Sequence, residues 1–494
     1  MPVNTSLAPL KSSSFGYLQA QHLLARAGFG GTPAQIQALV AMGLEQAVDS
    51  LVNYDKVDAS QLAAAQADPD LLRPATQEEK LAYAKAKQAD DQEAFAQLRA
   101  GRVMRENQDR QQMRGLVHWW FSRMVDTPRP LEEKLTLLWH GHFASNHRTV
   151  RDSFLMYQQN ALLREHAAGN FAQLVYGIIR DPAMLRFLDN NSNRKSKPNE
   201  NLARELMELF TLGEGNYSED DIKQGARALT GYSFEDNDFV FHRRQHDSQA
   251  KQIFGQSGDF AGEDFVRLIL AKPACSEFVA FKLYKHFVAD VTDPRRLPPA
   301  AAVVVRKLAE ELRRGEYALR PVLTTLFRSQ HFYDATITGN MIKSPAQLLA
   351  GSMRVLATPR RDLGVLTGAM QMMGQELFNP PSVKGWDGGE TWINSSTLFV
   401  RQNLCVYLLT GKMSSRGKWK SDKSGYDATA MIDDAQHKSP QTLVDTLMSA
   451  LLGAQRLPQH RDTLLDFVKE RGVKDDTVLA LLLLITAMPE YQLC

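Results

Sequence analysis

The chain has 494 residues, 44% of them apolar and 23% charged, the balance of an ordinary globular protein with length for one very large domain or roughly two or three of usual size. Lys and Arg number 58 against 56 Asp and Glu, and a formal net charge of +2 argues against a broad nucleic-acid-binding face or a polybasic membrane surface. Three dispersed cysteines, Cys275, Cys405 and Cys494, exclude a disulfide framework and leave no CxxC pair for zinc.

Residues 1–16 contain no apolar run of the length that a secretory signal needs, so the expected location is cytoplasmic, or periplasmic or secreted where a leader has been removed. Helical periodicity covers residues 17–27, 33–41 and 44–52, broken by Gly28, Gly30, Gly31 and Gly43, which predicts a compact three-helix start. Residues 77–124 are charged, with Phe95, Leu98, Met104, Met113, Leu116 and Trp120 as sparse apolar positions. They predict one long or twice-broken surface helix docked at its Trp end. Residues 131–143, 151–165, 171–179, 202–212 and 218–230 follow as helices at bundle-like spacing.

Residues 232–242 read as a β-hairpin, with aromatic residues and Val flanking Asp236-Asn237-Asp238. Helices resume at 261–270, 275–288, 300–314, 319–328, 345–356 and 363–373. Residues 378–396 are dense in Pro, Gly, Trp and Asn and predict a structured loop. Residues 412–423 read as a basic mobile linker before three C-terminal helices. Among these, the apolar run 478–488 is about half the ~20 residues of a membrane span and reads as a buried core helix, so no transmembrane segment is expected. The fold class is mainly α, a large multi-helix orthogonal bundle with one small β-hairpin. It divides into an N-terminal helical segment (1–76), a long charged helical region (77–126), a main body carrying a polar site and the Trp/Gly/Pro loop (127–411), and a linker with C-terminal helices (412–494).

Five motifs in order, WHGHF at 139–143, NENLARELMELFTLGEGNYSEDDI at 199–222, ARALTGY at 226–232, HD at 246–247 and PPSVKGWDGGETWINS at 380–395, resemble a large bacterial family, the domain-of-unknown-function family numbered eighteen hundred. The resemblance runs from about His22 to the C-terminus and names no reaction. It implies relatives with export signals, encoded beside a second family similar to alkaline phosphatases and sulfatases, and hence a phosphatase- or sulfatase-like protein as partner.

Within these motifs the helix after Pro198 places Leu202, Leu206 and Leu209 on one stripe and Asn201, Arg204, Glu205 and Glu208 on another face, within an arc of about 100°. One reading is a solvated surface with an Arg204–Glu208 ion pair worth roughly a few tenths of a kcal/mol. The other is a buried polar site whose carboxylates ligate a metal or divide acid and base roles. In WHGHF, the wheel sets His140 opposite the Leu131, Leu135 and Leu138 stripe and returns His142 to it. His140 is then the candidate for a polar site, and His142 a core imidazole satisfied by a backbone carbonyl. The H-x-H spacing is not that of a helical metal pair.

The loop 189–200 mimics a calcium loop but has Arg194 where the turn glycine belongs, so Asn199 is better read as capping the next helix. His246 and Asp247 are candidates to orient a base or bind a metal, although sequence neighbours point apart in extended chain. Trp386 and Trp392, with Asn394 and the glycines between, suit stacking of sugar rings, and equally suit pinning a long loop to the bundle. No GxSxG elbow, phosphate loop or Rossmann fingerprint occurs.

Together these features point to an enzyme, favoured as a hydrolase of a polyhydroxylated, carbohydrate-like substrate. Its pocket is expected where the helices bearing His140 and Glu205/Glu208 meet beneath the Trp loop. His140, Arg204, Glu205, Glu208, His246 and Asp247 are the catalytic candidates, and Asn199, Asn201, Trp386, Trp392 and Asn394 the substrate-binding ones. Two alternatives stand beside it. One is a metal-dependent oxidoreductase in which the same side chains hold a divalent or transition metal; the other is a non-catalytic binding or assembly partner of the phosphatase- or sulfatase-like protein.

Overall fold

The computed structural model describes residues 3–73, 76–415, 418–422, 424–432, 439–454 and 457–494. Helices make up 62% of it. The start is the expected three-helix unit: Tyr17–Ala27 is followed by Pro33–Val52, which Gly43 at φ 74° breaks in two. Thr32 caps the second helix by accepting from the Gln35 N–H, and Pro33 occupies its first turn, where its missing N–H costs nothing. The charged region forms Gln77–Gln88 and Gln92–Asp126, separated where the Asp91 carboxylate caps the second helix. Burial in the longer helix falls in its C-terminal half, at Asp109, Met113, Leu116, Trp120, Phe121 and Met124.

The Pro130–His142 helix is buried nearly all round, with Glu132, Glu133, Lys134, His140 and His142 inside along with its leucines. A helix without a wet face lies in the interior. It serves two hydrophobic cores at once. Leu131, Leu135, Trp139 and Phe143 join the first, with Phe171, Phe210 and Phe281. Leu137 joins the second, with Trp120, Leu349, Met370, Phe378 and the C-terminal Leu447, Leu481 and Ile485. The seam between the cores therefore runs along this helix.

The expected hairpin pairs Tyr232–Glu235 with Asp238–Phe241 in the register Tyr232↔Phe241 to Glu235↔Asp238. Two further two-stranded hairpins correct the expectation of one: Lys251–Ile253 with Gln256–Gly258, and Lys412–Ser415 with Lys418–Ser421. The last falls in the stretch read as a linker. There Gly411, left-handed at φ 68°, ends the Ser395–Thr410 helix, and its carbonyl accepts from the Asp422 N–H at 2.8 Å, closing the ribbon. Three helices lie outside the predicted segments, one of them the single turn His147–Val150. Pro182–Phe187 is too short to show a period, and Ser395–Thr410 begins inside the Trp loop motif. The apolar C-terminal run is the Asp475–Thr486 helix, which buries Val478, Leu481, Leu482 and Ile485. Among the described residues no helix is long and apolar enough to cross a membrane.

Candidate functional site

Glu133 and Lys134 leave the central helix on different sides. The Lys134 side, continued by Leu138, Gly141 and His142, forms one wall of a cleft of about 220 Å³. The Pro273–Phe287 helix supplies a second wall through Phe281, Lys282, Lys285 and His286, and the Trp loop closes it with Lys384, Trp386, Asp387 and Trp392. Two glycines let the loop sit there. A Cβ on Gly385, at φ 82°, would stand 1.9 Å from the Gly141 carbonyl oxygen, and one on Gly141 would meet the Trp386 ring at 3.2 Å. WHGHF and VKGW, distant in sequence, are thus two halves of one contact.

The cleft is electropositive, with four lysines facing Asp290 and Asp387. Asp387 is already engaged: its carboxylate pairs with Lys384 at 3.1 Å, and its carbonyl accepts from Lys285 at 3.0 Å. Lys134, 3% exposed, makes no hydrogen bond or ion pair with a described residue, and neither does Lys282. Their ammonium groups stand against aromatic rings, Lys134 at 5.3 Å from the Phe29 centroid and Lys282 at 4.8 Å from that of Phe278. Burial pushes both amines down to about 8. For Lys282 the neighbouring Lys285 and Lys384 act in the same direction; for Lys134, Cys494 favours the charge and Arg26 opposes it.

Three further polar atoms in the lining are buried without a hydrogen-bond partner among the described residues: His142 Nδ1, His286 Nε2 and Trp386 Nε1. The other His142 nitrogen, Nε2, lies 2.9 Å from the Phe210 carbonyl, so it carries the proton and leaves Nδ1 as an acceptor. Desolvation first, and then Lys282, hold this imidazole well below its ordinary pKa. His286 reaches the Lys134 backbone and is depressed by burial and by Lys134 and Arg26. Buried polar atoms in native proteins are nearly always paired. Three such atoms and two ammonium groups without a partner among the described residues belong to residues lining this one cleft.

The candidates read from sequence are distributed differently. Trp386 and Trp392 line this cleft. His140 does not: it sits 1% exposed in an aromatic box, its ring centroid 5.2 Å from Trp120, 5.6 Å from Phe378 and 5.8 Å from Trp386. Both its nitrogens lack partners among the described residues, and burial pushes its pKa down to about 3. His142 has the expected backbone carbonyl but also faces the cleft, so the sides assigned to the two imidazoles are exchanged. The helical wheel assumed one apolar and one polar face, whereas this helix has a core on each side.

The acidic helix is α-helical only over Asn201–Glu205 and continues as a π-helix over Leu206–Thr211. The extra residue in each π turn takes Glu208 out of line with Arg204. The expected Arg204–Glu208 pair is therefore replaced: Arg204 bonds Glu200 at 3.1 Å and Glu219 through two bonds of 2.9 Å. Glu208 instead accepts from the Tyr217 hydroxyl at 2.7 Å. Glu205, half-buried, has its pKa raised by desolvation and then by Glu208. No contact with a described residue joins either carboxylate to His140, and neither lines the cleft, so the pocket combining them does not form.

The remaining candidates hold the chain together outside the cleft. Asp247 accepts from Arg227 Nε at 2.7 Å, and His246 Nδ1 bonds the Thr230 carbonyl at 2.8 Å, pinning the segment after the hairpin to the end of the Glu219–Ala228 helix. Asn199 accepts from the Asn201 N–H at 3.0 Å in a turn just before the helix, whose cap position is Glu200 and carries no side-chain cap, so the cap expected of Asn199 is displaced by one residue; Asn201 is exposed. Asn394 caps the Ser395–Thr410 helix by accepting from the Thr397 N–H at 2.9 Å. Among the described residues no group of three or more His, Cys, Asp or Glu is placed to hold a metal ion.

Lys134, Lys282, Lys285, His286 and Lys384 were not singled out from sequence. One signal was available, the i, i+3, i+4 spacing of Lys282, Lys285 and His286 on one helix face, but this pattern also describes a solvated surface. Neither a curated protein nor a solved structure matches the chain. A family model described as a protein of unknown function, DUF1800, matches residues 22–493. That span contains all the motifs that build the cleft, and the chain belongs to this family.

Proposed function

We propose that the protein is a hydrolase that holds a polyhydroxylated, carbohydrate-like substrate in the lysine and tryptophan cleft and cleaves it by acid–base chemistry. The supporting observation is the convergence there of unpartnered Lys134, Lys282, His142 Nδ1, His286 Nε2 and Trp386 Nε1. Indole faces offer flat apolar walls to sugar rings, while sparse polar points orient hydroxyls. The two imidazole acceptors call for hydroxyl donors. In this reading Lys282, with its amine pushed down to about 8, is protonated at neutral pH yet able to release its proton, and serves as general acid to the leaving oxygen. His142 Nδ1 takes the proton of the attacking water.

The test is release of reducing ends from a glycan panel by wild type, Lys282→Met and Glu205→Gln. Loss of a general acid lowers turnover by about 10²–10⁴-fold, so Lys282→Met falls by that order while Glu205→Gln stays near wild type. The reverse ranking would return the chemistry to the acidic helix. Absence of turnover across the panel would remove the hydrolase reading.

A further inference from the structure

Three of the unpartnered groups in the cleft can only donate hydrogen bonds: the Lys134 and Lys282 ammoniums and the Trp386 indole N–H. Even with Lys282 assigned to proton transfer, the Lys134 ammonium and Trp386 Nε1 have no acceptor among the described residues, and the acidic residues of the lining do not supply one. Asp387 is engaged with Lys384 and Lys285, and Asp290 is exposed at the surface. A sugar hydroxyl would meet these donors with a neutral oxygen and leave the excess positive charge uncompensated. A planar carboxylate offers two oxygens, whereas a sulfate or phosphate ester offers three terminal oxygens spread over a tetrahedral face, together with the negative charge that a buried ammonium requires.

We infer that the cleft holds an oxyanion subsite built on Lys134 and Trp386 Nε1, and that the substrate is a polyhydroxylated molecule carrying a sulfate or phosphate group. This rests on the cleft being the substrate site, and it narrows the substrate class. A buried amine with no protein partner is costly to the fold. A ligand that supplies the partner gives a reason for the chain to carry one here, on a helix where the adjacent Glu133 is fully paired.

The experiment is calorimetric titration of the full-length protein with inorganic sulfate, inorganic phosphate, a neutral oligosaccharide and the same oligosaccharide sulfated or phosphorylated. It is repeated on Lys134→Met, on Trp386→Phe, which keeps the ring and removes the N–H, and on Lys56→Met, an exposed lysine (70%) outside the cleft. Binding of the free oxyanions and of the esters is expected to weaken about tenfold or more in Lys134→Met, as for a lost hydrogen bond to a charged group. It should weaken to a lesser degree in Trp386→Phe and stay unchanged in Lys56→Met. The relative affinities of the sulfated and phosphorylated forms identify which oxyanion the subsite takes. Because Lys134→Met replaces an unpartnered amine by an apolar chain, it should fold with a raised melting temperature; Trp386→Phe carries the test should it not fold. Equal binding of the neutral and esterified oligosaccharide, or oxyanion binding untouched in both cleft variants, overturns the subsite while leaving the polyhydroxylated reading in place. Oxyanion binding with no gain from the oligosaccharide does the opposite.

Discussion

Glu133 and Lys134 are consecutive residues of one helix, both buried, and they meet opposite circumstances. Glu133, fully buried, accepts from Arg164 at 2.8 and 3.0 Å and from the Trp120 indole at 3.0 Å, and it also pairs with Arg123. Lys134 has no hydrogen bond or ion pair among the described residues, only the face of Phe29 and the favourable charge of Cys494. On one side of the helix Glu133 gathers the long charged helix through Trp120 and Arg123 and the Ser153–Glu165 helix through Arg164. On the other side a charge of the same burial is left open, with unpartnered imidazole and indole nitrogens lining the same cleft. Complete partnership ties Glu133 into the architecture, whereas the open charge of Lys134 is what the proposed ligand would answer.

The strongest way to break this comparison is Glu133→Gln. Removing one member of a buried ionic network leaves the others uncompensated, and a loss of about 3–5 kcal/mol in urea unfolding is expected. The two arginines hold the Glu133 carboxyl below the ordinary range despite its burial. Its contribution is therefore present above the unfolded-state pKa and is lost as pH falls through the lower folded value, so wild type and variant converge in acid. A loss below about 1 kcal/mol, the scale of an exposed pair, would show that Arg123 and Arg164 re-pair elsewhere and that the network is not architectural.

Lys134→Met is expected to move stability the other way. The amine drops from 10.5 to about 8 on folding, so at neutral pH the folded state carries a penalty, on the order of 2–3 kcal/mol. Wild type regains it as pH rises from about 8 toward the unfolded value, because there the unfolded chain binds more protons. Denaturation series at pH 7 and pH 10 should show the variant ahead at the first and most of that lead gone at the second. A variant less stable than wild type at pH 7 would make Lys134 structural and erase the contrast with Glu133.

The sequence carried most of the elements and few of the faces. Apolar spacing alone located Tyr17–Ala27 and Leu319–Arg328 to the residue, and Asp236-Asn237 announced the first hairpin. Faces failed where a helical wheel has no purchase. Pro130–His142 is buried nearly all round, so an apolar stripe could not say which side holds His140. The π turn at Leu206–Thr211 obeys no 100° rule, so Arg204 and Glu208 came apart. The Trp loop was legible as a constellation because Trp386 and Trp392 stand out chemically. Asn394 within it was misassigned, although Asn followed three residues later by Thr397 is also the pattern of a helix cap. The cleft lysines stayed hidden because their convergence from three separate elements, with Lys134 buried among them, is a property of the fold and not of their spacing.

The smallest expected effect is at Glu205 and Glu208, which lie between the two extremes. They are half-buried and near each other, and Glu208 has a partner in Tyr217. Burial, and then Glu208, raise the Glu205 pKa above 4.5. A carboxyl whose folded pKa is raised contributes stability that is complete below the unfolded value and is lost as pH rises through the folded one. At neutral pH wild type therefore carries a small penalty that Glu205→Gln lacks, much reduced by solvent screening. The variant should melt slightly above wild type at about pH 7 and together with it below about pH 4, with turnover intact. A lower melting temperature at neutral pH would mean that the ionised carboxylate is held by a favourable contact. If turnover were lost as well, the acidic helix would replace the lysine cleft as the seat of chemistry.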